Sequence, residues 1–206
     1  MDGVSLVKRL VGVLLVVAGL VPLILGTWFA SQLGATGSAR FTLPDPGADP
    51  VLITPQVLNR TDLPVRIEVE APNAVIGVAT PSDITAILGT ATRAEITGVK
   101  VSDWSLTSAT TGTGAPAGLG EIELWRERSE IKGDGALNVS QQTAPESVLI
   151  VPGKDGLEKV TLTWAHDTWF YQALVLAAAG GLLSTVGWLL VRPGRRTATK
   201  EQSPHV

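Results

Sequence analysis

The chain has 206 residues, no cysteine and a formal net charge of −3 at pH 7. The absence of cysteine excludes disulfide bonds, thiol catalysis and cysteine-ligated zinc or iron–sulfur sites. The charge is unevenly distributed: the two ends together carry six Lys and Arg against two acidic residues, whereas the middle carries ten against 17. An acidic middle lacks the basic footprint that nucleic-acid binding requires, so we expect no nucleic-acid partner.

The first predicted element is a transmembrane helix at residues 10–30, after a short basic N-terminus at residues 1–9. The helix carries no charge, and at about 1.5 Å per residue it is long enough to cross a hydrocarbon core of about 30 Å. Only a helix satisfies its own backbone groups in such a segment. The same pattern also fits a secretory signal peptide, whose cleavage would leave one C-terminal anchor.

The middle of the chain predicts an extended stalk and then a β domain. Residues 31–50 are rich in Gly, Ser, Ala and Pro, which is typical of a stalk. Over residues 51–165, alternating apolar and polar segments lie between turn residues, which predicts an antiparallel all-β sandwich or barrel; we expect the sandwich. The predicted strands are residues 51–54, 65–71, 74–79, 94–99, 103–107, 121–127, 136–140, 147–151 and 159–164.

One short helix interrupts the predicted strands. Thr80 is its expected N-cap, Pro81 its first residue and Gly89 its end. A hydroxyl side chain before a proline, followed by a glycine about two turns later, is the usual signature of a short capped helix. We expect this helix to cover an open end of the sandwich.

A second transmembrane helix is predicted at residues 169–191, followed by a basic cytoplasmic tail at residues 192–206. Basic residues beside membrane helices remain in the cytoplasm, so the charges predict a plasma-membrane protein with both termini inside and the central domain outside. The predicted membrane-interface anchors are Trp28, Trp164, Trp169, Tyr171 and Trp188. Neither span contains an ionisable residue, which argues against an ion or proton pathway.

Small residues recur along one side of the second predicted helix. This candidate helix-contact face consists of Ala177, Gly180, Gly181, Ser184 and Gly187. Such residues allow two helices to approach closely. Two interpretations are open: the face packs against the first helix, where Gly12 and Gly19 are seven residues apart, or it mediates dimerisation or docking to another membrane protein.

No combination of residues predicts nucleophilic catalysis or nucleotide binding. His166 and His205 lie on opposite sides of the predicted membrane, so they cannot share a metal or a catalytic site. Residues 107–120 are rich in Gly and Thr but lack the Gly-Lys-Ser/Thr sequence and following helix of a P-loop. We therefore expect no catalytic residue and no cofactor.

The acidic residues offer two weak alternatives. Glu121 and Glu123 share one face of a predicted strand, as a glycosidase pair would, but acidic residues in this pattern are also typical of a solvated strand face. Asp134 and Asp155 lie in glycine-containing turns that could bind calcium, but the dense acidic run of a calcium loop is absent. We expect neither an enzyme nor a metal site.

Residues 72–89, followed by Trp125-Arg126, a Gly-Asp-Gly turn at 133–135 and residues 148–156, resemble uncharacterised actinobacterial envelope proteins. The resemblance implies an N-terminal span, a β-rich outer domain and a C-terminal span, and it supplies no catalytic residue. We therefore expect the outer domain to be an envelope interaction or assembly module. The alternative is a regulatory or accessory subunit bound through its membrane helices. The expected partners are the lipid bilayer and other envelope or membrane proteins, with the oligomeric state left open.

Overall fold

The computed structural model describes residues 3–115, 124–140 and 145–192. The chain forms two compact units, one from the segments up to Gln32 and from Thr168 onward, the other from residues 33–167. In chain order the described elements are α1 (Gly3–Leu33), β1 (Ser38–Gly47), β2 (Val51–Ile53), α2 (Pro55–Leu58), β3 (Val65–Ala79), α3 (Pro81–Leu88), β4 (Arg93–Lys100), β5 (Ser105–Thr111), β6 (Glu127–Val139), β7 (Ser147–Pro152), β8 (Leu157–Ala165) and α4 (Asp167–Val191).

The terminal unit contains the two long apolar helices, α1 and α4. Their segments Leu6–Leu33 and Asp167–Val191 are long and apolar enough to cross a membrane. Only 17% and 11% of their most apolar windows are buried. Helix α1 is longer than the predicted residues 10–30 and continues through Pro22.

The strands of the central unit form a closed barrel of seven strands, so the expected sandwich is wrong. The pairing order β3-β7-β2-β4-β5-β1-β8 returns to β3, and β6 pairs with β3 outside this ring. Two of the pairings, β2 with β4 and β1 with β5, are parallel, whereas the sequence predicted an antiparallel sheet throughout.

The long strand β3 closes the ring. Residues 65–70 of β3 pair with β8, and residues 74–79 pair with β7. Strand β6 pairs with both halves of β3 along the opposite edge. A register shift between Ala71 and Ala74 separates the two halves. A bulge of this kind bends a strand and increases its twist, which lets one strand meet two neighbours in succession. The sequence had predicted two separate strands here.

Strand β1 replaces most of the stalk that was predicted over residues 31–50. It pairs with β8 from Ser38 opposite Ala165 to Pro44 opposite Lys159. The side chain of Phe41 in β1 is buried and packs the strand into the core. The many Gly and Pro residues around Phe41 favoured the prediction of a stalk. Proline is tolerated here because β1 has few ladder bonds on its β5 side, where only one residue pair is in register.

The barrel interior is filled by β-branched and leucine side chains. Val51, Ile76 and Ile150 are cross-strand neighbours, and all three are buried. The same interior contains the buried side chains of Ile53, Val65, Ile67, Ile96, Val148, Val160 and Leu162. Inward-facing side chains at alternating positions fill the interior, as expected for a small barrel.

A second apolar cluster lies on the outer side of the barrel, under α3. It consists of Leu52, Ala79, Ile84, Leu88 and Leu149, with Ile87, Trp125 and Val151 packed against it. The predicted helix is confirmed: Pro81 opens α3, and the Thr80 hydroxyl accepts a hydrogen bond from the Asp83 amide at 3.3 Å. This cluster gives the barrel wall apolar packing on both sides.

Gly77 in β3 is required by the position of Trp125. A Cβ atom at Gly77 would lie 2.5 Å from Cδ2 of the Trp125 ring, closer than atoms can approach. The Arg126 amide donates a hydrogen bond to the Val78 carbonyl at 2.8 Å, and Arg126 forms an ion pair with Glu146. The indole therefore lies flat against the strand where a side chain would otherwise be.

We predict that Gly77→Ala destabilises the barrel by about 1–3 kcal/mol, the usual range for overpacking. The penalty should largely disappear in a Trp125→Ala background, because the clashing ring is then absent. Denaturant unfolding of the full chain in mild detergent, followed by near-ultraviolet circular dichroism, measures both effects. An equal penalty in both backgrounds would contradict the proposed contact.

Candidate functional site

Helices α1 and α4 meet through glycine backbones. A Cβ atom at Gly180 would lie 2.5 Å from the Gly19 carbonyl oxygen, and one at Gly187 would lie 2.5 Å from the Gly12 carbonyl oxygen. Cβ atoms at Gly12 and Gly19 would in turn lie 2.7 Å and 2.6 Å from the carbonyl oxygens of Gly187 and Gly180. The two backbones thus approach to a distance that only glycine permits.

A third glycine, Gly26, extends the contact. A Cβ atom at this position would lie 2.6 Å from the Ala173 carbonyl oxygen and 2.5 Å from the Ala177 amide nitrogen. Gly26 follows Gly19 at the same seven-residue spacing that relates Gly12 to Gly19. Sequence reasoning missed Gly26, although this repeated spacing would have identified it.

Four of the five residues in the candidate helix-contact face lie at this contact. Ser184 adds an interhelical hydrogen bond, donated from its hydroxyl to the Val16 carbonyl at 3.4 Å. Gly181 differs from the others, because the nearest atom to a Cβ there would be Leu23 Cδ1 at 3.9 Å. The face is therefore used within the chain, with Gly181 at its margin.

The aromatic residues predicted as membrane-interface anchors have different environments. Tyr171 is exposed, and the Arg192 guanidinium lies 3.8 Å from the centroid of the Trp188 ring at the end of α4. Trp28 forms an edge-on ring contact with Phe29 near the end of α1. Trp169 lies in the first turn of α4.

Trp164 is placed differently, because its side chain is buried inside the barrel. Its ring meets Phe41 edge-on, with the centroids 5.9 Å apart, and Phe41 stacks on Trp104 at 5.1 Å. The Thr42 amide donates to the Trp104 carbonyl at 3.1 Å. Trp164 is therefore not an interface anchor; it belongs to an aromatic cluster with Phe41 of β1 and Trp104, the residue before β5.

The described part of the chain offers little catalytic chemistry. Among the described residues, no group of three His, Asp or Glu side chains could hold a metal ion. A hydrogen bond from the Lys100 ammonium, 2.7 Å long, holds the pKa of Asp103 below its ordinary value. Glu121 and Glu123, the weak glycosidase alternative, lie outside the described residues.

Comparison of the chain with models of protein families, with curated proteins and with solved structures gives no match. Function must therefore be inferred from the geometry of this chain.

We predict that Gly180→Leu separates α1 from α4, because any side chain at this position meets the α1 backbone. Gly181→Leu is the matched control, since the adjacent position has room for a side chain. The chain has no cysteine, so Val16→Cys and Ser184→Cys provide a pair for a short thiol-reactive crosslinker in detergent micelles. The intramolecular crosslink should form in the control and be strongly reduced with Gly180→Leu. Equal yields would contradict the glycine contact.

Proposed function

We propose that this chain is an integral plasma-membrane protein that spans the bilayer twice and presents its barrel as an interaction or assembly module of the cell envelope. The observation that carries the proposal is the apolar surface of α1 and α4 that points away from their mutual contact. Its exposed side chains include Leu6, Val7, Leu10, Leu14, Val17, Val21, Ile24, Val175, Leu182, Val186 and Leu189.

This surface fits lipid and does not fit water. Exposed apolar area costs about 25 cal/mol per Å² in water, and soluble monomers rarely expose contiguous patches above a few hundred Å². A helix pair in a bilayer needs small residues and close backbone contacts inside, because lipid tails are as apolar as leucine. Both features occur together in α1 and α4, which supports insertion of the pair.

The distribution of charge supports the orientation. Lys8 and Arg9 precede the first span, and basic residues from Arg192 onward follow the second. Two spans put both termini on one side, and the positive flanks favour the cytoplasm. The barrel, with its net acidic sequence, then lies on the extracytoplasmic side.

An interaction role for the barrel is favoured over an accessory role for the helices. The small residues of α4 that would suit docking to another membrane protein are already covered by α1. An accessory subunit would have to bind through the outer leucine and valine side chains instead. The motifs that resemble actinobacterial envelope proteins support an envelope setting for the barrel.

The topology is tested with single cysteines in this cysteine-free chain. Ser102→Cys lies in the exposed turn between β4 and β5, and Ser203→Cys lies in the C-terminal tail. In intact cells, a membrane-impermeant maleimide should label Ser102→Cys alone, and lysis should make Ser203→Cys reactive. Labelling of Ser203→Cys in intact cells would contradict the orientation. An N-terminal tag that remains on the mature protein would exclude cleavage of the first span.

The choice between module and accessory subunit is tested with photo-crosslinking amino acids in native membranes. Probes at Thr107 and Asn138 sample the exposed barrel surface, and probes at Val175 and Leu182 sample the outer side of α4. We expect adducts with envelope proteins or polymer from the barrel probes and lipid adducts from the helix probes. Protein adducts from the helix probes alone would favour the accessory subunit.

A further inference from the structure

One row of polar residues crosses the outward face of the barrel. Arg40 of β1 pairs with Thr163 of β8, Thr163 pairs with Arg66 of β3, and Arg66 pairs with Asn138 of β6. Paired residues on neighbouring strands point to the same face, and strands lie about 4.8 Å apart. The two arginines therefore flank Thr163 at a backbone separation of about 10 Å. Side chains of this length can converge on one small group above the threonine.

Within the described part of the chain, the hydroxyl of Thr163 makes no hydrogen bond, unlike the hydroxyl of Thr161 on the same strand. Its residue is only 7% exposed, and its buried hydroxyl has no hydrogen-bond partner among the described residues. By contrast, the hydroxyl of Thr161, on the same face, lies 3.2 Å from the hydroxyl of Thr42. Buried polar groups normally have a partner, so this hydroxyl has an unused capacity for one hydrogen bond to a ligand.

The row carries two guanidinium groups, of which that of Arg66 is paired with a carboxylate. Arg66 donates from Nε to Glu68 at 2.8 Å, which leaves its two terminal nitrogens available. Arg40 is exposed and forms no ion pair within the described part of the chain. Lys159, further along the same face, is paired with Glu70. The Arg40 guanidinium, the terminal nitrogens of Arg66 and the Thr163 hydroxyl can donate to an anion, while the Glu68 carboxylate on the same face is held by Arg66 Nε.

We propose that Arg40, Thr163 and Arg66 form a binding site for a phosphate group. Guanidinium forks match phosphate oxygens, and the Thr163 hydroxyl adds a third donor between them. The source that we favour is the headgroup of an anionic phospholipid, a choice that rests on the proposed membrane insertion. The phosphate site itself does not depend on that insertion, since free phosphate has the same chemistry.

The position of the row along the chain favours the lipid headgroup. Thr163 lies four residues before Asp167, where α4 begins, and Arg40 lies seven residues after Leu33, where α1 ends. At no more than about 3.5 Å per residue, the chain keeps Thr163 within about 14 Å of the start of α4. A connection this short is what a headgroup ligand requires, given the proposed insertion of α4.

The site is tested on the full chain in mild detergent by the thermal unfolding midpoint of the barrel. The added ligands are inorganic phosphate, dihexanoyl phosphatidylglycerol and dihexanoyl phosphatidylcholine, each at matched ionic strength. A ligand that binds only the folded state raises the midpoint. We expect a rise with phosphate and phosphatidylglycerol, and a smaller rise with the zwitterionic lipid. A rise with phosphate alone would overturn the lipid source, and no rise with either anion would overturn the site.

Variants separate this site from general charge effects. Arg40→Gln and Arg66→Gln should each weaken the anion about tenfold or more, the usual effect of losing a charge-assisted hydrogen bond. Arg128→Gln is the matched control: Arg128 is ion-paired with Glu130 as Arg66 is with Glu68, but its cross-strand neighbour is Gly77. Equal weakening by Arg128→Gln would overturn the proposal.

Thr163→Val tests the hydroxyl with little change of shape. Without anion this variant should be at least as stable as the wild type, because it removes an unpaired buried hydroxyl. Its response to phosphate and to phosphatidylglycerol should be clearly weaker than that of the wild type. A Thr163→Val protein that binds both anions as the wild type does would overturn the role of Thr163 and with it the site.

Discussion

The antiparallel pairing of β1 with β8 is the interaction on which the rest of the structure depends. It joins two segments about 120 residues apart in the chain and completes the ring of seven strands. It also places Ser38 opposite Ala165, so the connection from α1 and the connection to α4 leave the barrel side by side. Backbone hydrogen bonds of this ladder, with Phe41 and Trp164 packed on its inner side, hold the two ends of the domain together. A barrel closed in this way has no need of disulfide bonds.

A different kind of contact holds the two helices together. Among the described residues of α1 and α4, the contact rests on glycines, where Gly19 faces Gly180 and Gly12 faces Gly187, and on the Ser184 hydroxyl. Under the proposed insertion in lipid, burial of apolar side chains provides no net driving force, so close backbone packing must stabilise the pair. The barrel has an apolar interior, whereas the helix pair has small side chains at its contact and large apolar ones outside, as the proposed membrane insertion requires.

Features with a local cause were predicted from the sequence, whereas features with a long-range cause were not. Thr80 and Pro81 specify α3 through capping and a fixed φ angle, and the spacing of Gly180 and Gly187 puts both on one helix face. Barrel closure depends on which strands become neighbours. The alternation of apolar and polar residues predicts where strands lie but not which strands pair. The same limit explains why β1 was expected to be a stalk and why Trp164, close in sequence to the apolar helix α4, was expected at a membrane interface. Arg40 and Arg66 flank Thr163 only because of the register in which β1, β8 and β3 pair, which the sequence pattern does not reveal.

Amide hydrogen exchange of the full chain in lipid nanodiscs tests the central claim most directly, because it examines every element in one sample. The account predicts two long protected stretches, covering residues 10–30 and 169–191, that stay protected in denaturant concentrations that unfold the barrel. It also predicts that the amides of β1 exchange as slowly as those of β8 and lose protection together with them. Rapid exchange throughout β1, as in a solvated stalk, or exchange of either helix together with the barrel, would contradict the account.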